Sequence, residues 1–163
     1  MCPLSGPIND SVGLREISDA NRDAVLALEV KAEQQRYVGS VADALEDALA
    51  IPEGKAWSRA IYLADEPVGF VMMSWNVIPD PPRIIGPWFL WKLLIDQSRQ
   101  GQGIGRTTVR LIADMVRAEG AVQLLTSYVE GEGDPGGFYR RLGFNPTGER
   151  DDHGEAILVL HLA

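Results

Sequence analysis

The chain holds a single cysteine in 163 residues, so no internal disulfide can form. That residue, Cys2, sits in the Pro/Gly-rich start Met1-Cys2-Pro3-Leu4-Ser5-Gly6-Pro7, a setting for a spectator thiol rather than a nucleophile. No apolar run approaches the length of a membrane span, and the start has neither the basic region nor the apolar core of a signal peptide. A soluble, cytoplasmic protein with no membrane partner is therefore expected. Positive charge is scarce as well: 15 Lys and Arg against 23 Asp and Glu leave a net charge of −8. That balance disfavours nucleic acid and favours cationic small molecules as partners. Internal repeats and low-complexity segments are missing, and no metal site is predicted. The length suits one domain over residues 12–163 behind a flexible tail over residues 1–11.

What is present is a mixed α/β pattern. Val12 to Ile17 reads as a first strand, and Ser18 or Asp19 as the cap of a helix running to about Glu29 with Val25 and Leu28 turned inward. Ser40 caps a second helix with Asp43 at the third position and an apolar stripe of Val41, Ala44, Leu45 and Ala48. Trp57 to Ala64 and Val68 to Trp75 read as a hairpin turning at Asp65-Glu66-Pro67. Pro79-Asp80-Pro81-Pro82 must be a loop. A fourth strand, Trp88 to Ile95, is followed by a helix from Thr107 to Glu119 with Thr108, Leu111, Ile112 and Met115 on one face, ended by Gly120. Ala121 to Val129, a short helix, and the hairpin Phe144 to Arg150 with Ala156 to Leu162 complete the order β-α-α-β-β-β-α-β-α-β-β. Propensity alone gives the class, α+β with a mixed sheet.

The most informative stretch joins the fourth strand to its helix: Gln100-Gly101-Gln102-Gly103-Ile104-Gly105-Arg106. A glycine-rich turn before a helix presents backbone N–H groups and the positive end of a helix to an anion. The P-loop pattern GxxxxGK[ST] fails, because position 100 is Gln and the loop has no lysine. The dinucleotide pattern GxGxxG is not met either, since the glycines are spaced as GxGxG and lie late in the chain. The pattern Q/R-x-x-G-x-G/A does fit, at Gln100, Gly103 and Gly105. Downstream, Gly136-Gly137-Phe138-Tyr139-Arg140-Arg141-Leu142-Gly143-Phe144 reads as a tyrosine-bearing helix that ends at glycine and enters a strand at Phe144. With both motifs in this order, the chain resembles the GNAT superfamily of acyl-CoA-dependent N-acetyltransferases over about Val12 to Leu162, most strongly from Leu90 to Phe144.

The resemblance implies a GNAT fold: a mixed, mostly antiparallel sheet of about seven strands with the fourth and fifth splayed, flanked by about four helices. It further implies acetyl-CoA as cofactor, held by Leu93, Leu94 and Ile95 along the strand, by Gln100, Gly101, Gln102, Gly103, Ile104, Gly105 and Arg106 around the diphosphate, and by Tyr139. Arg99, Arg106, Arg110, Arg140 and Arg141 gather near the motifs, where anionic groups need neutralising. Acetyl transfer to an amine requires a neutral nucleophile, a stabilised oxyanion and a proton for the departing sulfur. The resemblance gives the last task to Tyr139 and the oxyanion to a strand N–H, that of Leu94.

The base is open. Relatives often carry Glu on the fourth strand, where this chain has Trp91 and Lys92; Glu29 and Glu33 near the end of the first helix, or Glu130 after the fifth strand, are the candidates. A frequent family Asn is replaced by Glu132, and the small residue that usually follows is Pro135. The run Leu26 to Val38 and the run Trp91 to Asp96 are similar to those of diamine and spermidine acetyltransferases. Glu29, Glu33, Glu130, Glu132 and Asp134 are thus candidates for a distal ammonium, and Trp75, Trp91 or Tyr37 for its aliphatic span. The expected enzyme acetylates a primary amine of a diamine or polyamine in a ternary complex. The alternatives are acceptors such as an aminoglycoside-like drug, an amino acid or a protein N-terminus, or a non-catalytic acyl-CoA sensor; a homodimer is possible.

Overall fold

The computed structural model describes residues 11–162, so Cys2 and the tail expected over residues 1–11 lie, Ser11 apart, outside the described residues. Among the described residues seven strands form one sheet: β1 (Val12–Arg15), β2 (Ala56–Leu63), β3 (Glu66–Trp75), β4 (Trp88–Ile95), β5 (Gln123–Tyr128), β6 (Asn145–Arg150) and β7 (Ala156–His161). Their order is β1-β2-β3-β4-β5-β7-β6, so the last hairpin places β7 against β5. All pairings are antiparallel except that of β4 with β5.

Strand alternation builds the two layers. On β3, Val71 and Met73 face α4 (Ile104–Ala118), joining Leu90, Ile112, Val116, Leu124 and Leu158 in the larger core. Phe70 and Met72 face the other way, meeting Val25 and Leu28 from α1 (Arg22–Leu26) and its exit, and Val41 and Ala44 of α3 (Val41–Ala50). Between these helices lie a 3-10 turn, Ala32–Gln34, and one helical turn, α2 (Gln35–Val38). The chain between β5 and β6 carries α5 (Gly136–Arg141).

The capping box is formed as expected, with Asp43 N–H donating to Ser40 Oγ at 3.1 Å and Ser40 N–H to Asp43 Oδ2 at 3.2 Å. Three local expectations are corrected. The first helix is shorter and capped at Asn21 rather than Ser18 or Asp19, because Asn21 Oδ1 takes the Ser18 N–H (2.8 Å) and turns the chain before the helix starts. The β2–β3 hairpin closes around Ala64-Asp65, with Ala64 at φ 55°, and Pro67 lies within β3 where the register shifts opposite Tyr62. A bulge leaves no ladder bond for proline to break. The fourth helix begins three residues early, and its buried face is Ile104, Thr108, Ile112 and Val116 with Val109 and Ala113; Met115 is exposed.

Ile112 is fully buried in the middle of this layer. Ile112→Ala is expected to lower unfolding free energy by about 2–5 kcal/mol, read from the shift in urea midpoint at constant m.

Candidate active site

β4 and β5 share ladder pairs only at Phe89 with Leu125 and Leu90 with Thr126. The buried Thr126 hydroxyl donates to the Leu90 carbonyl (2.9 Å) at that last pair. Beyond it the strands part, and a cleft of about 650 Å³ opens between them. Its walls include Leu93 and Ile95 of β4, the turn residues Gln100, Gly101, Gly103, Ile104, Gly105 and Arg106, and Phe138, Tyr139 and Arg141 of α5. Val30, Gln34, Tyr37 and Val38 close it from the first helical region.

The glycine turn is built locally. Gly101 and Gly103 adopt φ of 80° and 82°, a left-handed conformation that costs other residues energy, and Gly103 is the residue from which α4 starts. A Cβ on Gly101 would meet nothing within 4 Å, so glycine there serves backbone conformation and leaves the approach open. Gly105 lies inside the first helical turn, where a Cβ would stand 3.3 Å from the Phe138 ring; its smallness lets α5 pack on α4. Gln100 donates through Nε2 to the Ile95 carbonyl (3.0 Å) and to Gln34 Oε1 (2.8 Å), which ties the turn to the end of β4 and to the opposite cleft wall.

Tyr139 is 7% exposed and lies edge-on to Phe138 and Phe144 at 5.2 and 5.4 Å. Burial pushes its phenol up to about 12, the Thr126 hydroxyl opposing and the charge of Glu155 adding to the shift. Glu155 precedes β7 and hydrogen-bonds Ser127 Oγ through Oε1 at 3.2 Å. Burial and then the neighbouring Asp151 raise its carboxyl above the ordinary range, while Ser127, Lys92 and His153 pull it back.

A bulge in β4 decides what faces this wall. Lys92 pairs with Met72 and Leu90 with Met73, so Trp91 is the extra residue, and Trp91 and Lys92 both turn to the α3 side. Trp91 lies over Gly54, where a Cβ would sit 2.8 Å from its ring. Lys92 Nζ reaches Asp47 of α3 at 3.5 Å. Behind this wall is a second cavity of about 290 Å³, lined by Asp47, Ser74, Arg83, Phe89, Asp151, Asp152 and His153 among others. Trp91, Lys92, Ser127 and Glu155 line both cavities.

The expected site residues divide accordingly. Leu93, Ile95, Gln100, Gly101, Gly103, Ile104, Gly105, Arg106, Tyr139 and Trp91 are brought together around the cleft. Leu94 points its side chain into the smaller core beside Phe70 and Met72, so only its backbone can serve, and Gln102 is exposed off the cleft wall. Glu29, Glu33 and Glu130 are exposed and line neither cavity; Glu130 instead pairs with Arg150 at 2.6 Å. Trp75 also lies off both cavity walls: it stacks on Trp57 at 5.0 Å, meets Trp88 edge-on at 5.1 Å and packs against the larger core. Arg99 lines the cleft but is held by Glu66 (2.5 Å). Tyr37 and Arg36 bind the Glu132 carbonyl, and Asp134 lines the cleft while its carboxylate accepts from Gly131 and Gly136 N–H (both 2.9 Å). Among the described residues no group of three or more His, Cys, Asp or Glu side chains is placed to hold a metal ion.

Glu155 was invisible to sequence reasoning. It follows the turn Asp151-Asp152-His153-Gly154, and only the β5–β7 register, with Tyr128 opposite Ala156, brings it beside Ser127.

Comparison with known proteins agrees with this geometry. Residues 57–146 match the family model described as an acetyltransferase (GNAT) domain. A spermine/spermidine N(1)-acetyltransferase of Bacillus subtilis (strain 168) is 29% identical over 153 residues, 93% of this chain and 99% of that protein. The peptidyl-lysine N-acetyltransferase YjaB of Escherichia coli (strain K12) is 32% identical over 73% of this chain and 71% of its own length. Among solved structures, the PaiA N-acetyltransferase of Thermoplasma acidophilum in complex with coenzyme A superposes with a TM-score of 0.62 at 13% identity, covering 93% of this chain and 99% of that one.

The raised carboxyl of Glu155 has a measurable consequence for stability. A folded-state pKa above the unfolded value penalises the folded state once the group ionises, so stability falls as pH climbs from the ordinary carboxylate range through the raised value. Glu155→Gln should therefore show a higher urea midpoint than the parent near pH 7, with the gap closing below about pH 4. Equal midpoints at both pH values would contradict the assignment.

Proposed function

We infer the acceptor and the roles of the site residues from one premise: the chain belongs to the GNAT acetyltransferase family and is an acetyl-CoA-dependent N-acetyltransferase. The cleft suits that donor. Two left-handed glycines open the turn, N–H groups at the start of α4 face it, and the Arg106 and Arg141 guanidinium groups, which make no ion pair among the described residues, border it, a set that matches a diphosphate. Leu93 and Ile95 offer backbone along the strand where β5 has withdrawn. Acetyl-CoA is consumed as co-substrate and supplies a thioester carbon.

Tyr139 is the group that meets the sulfur as it leaves. A phenol held at about 12 stays protonated at any working pH, so a proton is always on offer. A thiol in water has a pKa of about 8.5, so the phenol acts first as a hydrogen-bond donor. Transfer follows where Phe138 and Phe144 exclude water and strengthen the thiolate as a base.

The acceptor is a slender primary amine of diamine or polyamine type. The observation that carries this is the second cavity, which shares a wall with the cleft and is bordered by Asp47, Asp151, Asp152 and Glu155 with the rings of Trp91 and Phe89. Its volume of about 290 Å³ is at the lower end for small-molecule pockets, which suits a methylene chain better than an aminoglycoside. Likeness to the Bacillus subtilis spermine/spermidine enzyme supports the same reading. A second reading, a lysine side chain of a protein, is favoured by likeness to the peptidyl-lysine enzyme of Escherichia coli.

A thiol-release assay over putrescine, spermidine, spermine, an aminoglycoside, a lysine peptide and free amino acids tests the acceptor. The highest kcat/KM should fall on a di- or polyamine; a lysine peptide exceeding all of them would replace this reading with the second. Tyr139→Phe should lower kcat by about 100-fold or more with little change in the KM for acetyl-CoA. Gly103→Ala should weaken calorimetric binding of coenzyme A by about tenfold, since a Cβ disfavours the left-handed cap that aims the helix N–H groups.

A further inference from the structure

We propose that Glu155 takes the proton from the incoming amine, and that the amine reaches it from the second cavity. The proposal rests on the acetyl-transfer reading and names a residue that reading left open. Four observations place it. Among the described residues Glu155 is the one carboxylate that borders both cavities, so a nitrogen arriving through one meets it at the boundary with the other. Its Oε1 accepts from Ser127 Oγ at 3.2 Å, which orients the carboxylate and leaves its second oxygen without a hydrogen-bond partner among the described residues. It lines the cleft together with Tyr139, whose phenol feels its charge, so base and acid share one cavity. Of the carboxylates expected from the sequence, Glu29, Glu33 and Glu130 are exposed and line neither cavity, and Asp134 lines the cleft alone with its carboxylate taken by the Gly131 and Gly136 N–H groups.

The groups around Glu155 suit a base working near neutral pH. Lys92 of β4 approaches from one side, but Asp47 of α3 shares its charge. Asp151 and His153 belong to the turn before β7, and Asp151 Oδ1 accepts the Glu155 N–H at 2.9 Å. Burial and Asp151 favour the protonated acid, so the carboxylate binds a proton more strongly than a solvated one, as a base for an alkylammonium must.

The acceptor enters as R–NH₃⁺ and gives one proton to the Glu155 carboxylate. The nitrogen lone pair bonds to the thioester carbonyl carbon, and the C–S bond breaks with its electron pair on sulfur. Of the two remaining N–H protons one stays on the amide and one is lost, matching the proton that sulfur gains. Glu155 then returns its proton to solvent, for a net release of one.

The experiment compares the parent with Glu155→Gln and Glu155→Asp on an amine the parent acetylates, with acetyl-CoA saturating, from about pH 5 to about pH 10. In the parent, kcat should rise through a limb above the ordinary carboxylate range. Glu155→Gln should lose that limb and about 100-fold in kcat while binding coenzyme A within about twofold of the parent by calorimetry. Glu155→Asp should keep a limb. Independently of turnover, ¹³C NMR of labelled Glu carboxyls should show one resonance, missing in Glu155→Gln, that titrates high and shifts when the amine alone is added. A Gln variant with parental kcat and pH profile would overturn the proposal and leave acetyl transfer standing. A parent that binds coenzyme A yet acetylates no amine would overturn the reading beneath it, and a Glu155 resonance indifferent to amines would then overturn the proposal as well.

Discussion

The structure depends on a sheet that stops pairing where it should continue. β4 and β5 run parallel and share ladder pairs only as far as Leu90 and Thr126. Backbone donors and acceptors past that point need partners, because an unpaired polar group shut away from water costs about as much as a lost hydrogen bond. Gln100 supplies one by donating to Ile95 O, and the rest of the opened strand faces a cleft that a ligand or water must fill. The cleft is thus a consequence of strand divergence, and what fills it can hydrogen-bond as a missing strand would.

Divergence is held by packing on both faces. On one side the buried face of α4 fixes where the helix starts, and Gly105 allows Phe138 to close against that start. On the other, Phe70, Met72 and Leu94 are covered by α1 and α3. Asp96, just beyond β4, accepts the Glu29 N–H (2.8 Å), while Gln97 N–H donates to the Glu29 carbonyl (2.7 Å). The end of the first helical region is therefore clamped to the strand that leads into the glycine turn. Glu29 contributes through its backbone, and its side chain lines neither cavity.

The chemistry of the wall between the two cavities follows from a single inserted residue. Without the bulge at Trp91, Lys92 would lie on the opposite face from Trp91; with it, ring and ammonium stand together above α3. Lys92 then faces Asp47 and acts on Glu155, and the phenol of Tyr139 feels that same carboxylate. The phenol feels the charge of Glu155 and Glu155 that of Lys92, so a change at either charge reaches its neighbour.

How much of this could be read beforehand depended on range along the chain. Trp88–Ile95 has the predicted ends, the Ser40 and Asp43 box forms, and the glycine turn and the tyrosine helix lie where their motifs put them. These are settled by backbone dihedrals and hydrogen bonds spanning about four residues, which sequence encodes directly. Met115 and Pro67 were misjudged, and Trp75 and the three surface glutamates stand off the cavity walls, because burial and orientation are set by neighbours far off in sequence. The sequence by itself determined the family, the donor turn and the phenol. Only the tertiary structure decided which carboxylate stands beside them, since Glu155 reaches Ser127 through the register of two strands and Trp91 reaches the wall through a bulge, and neither leaves a periodic trace.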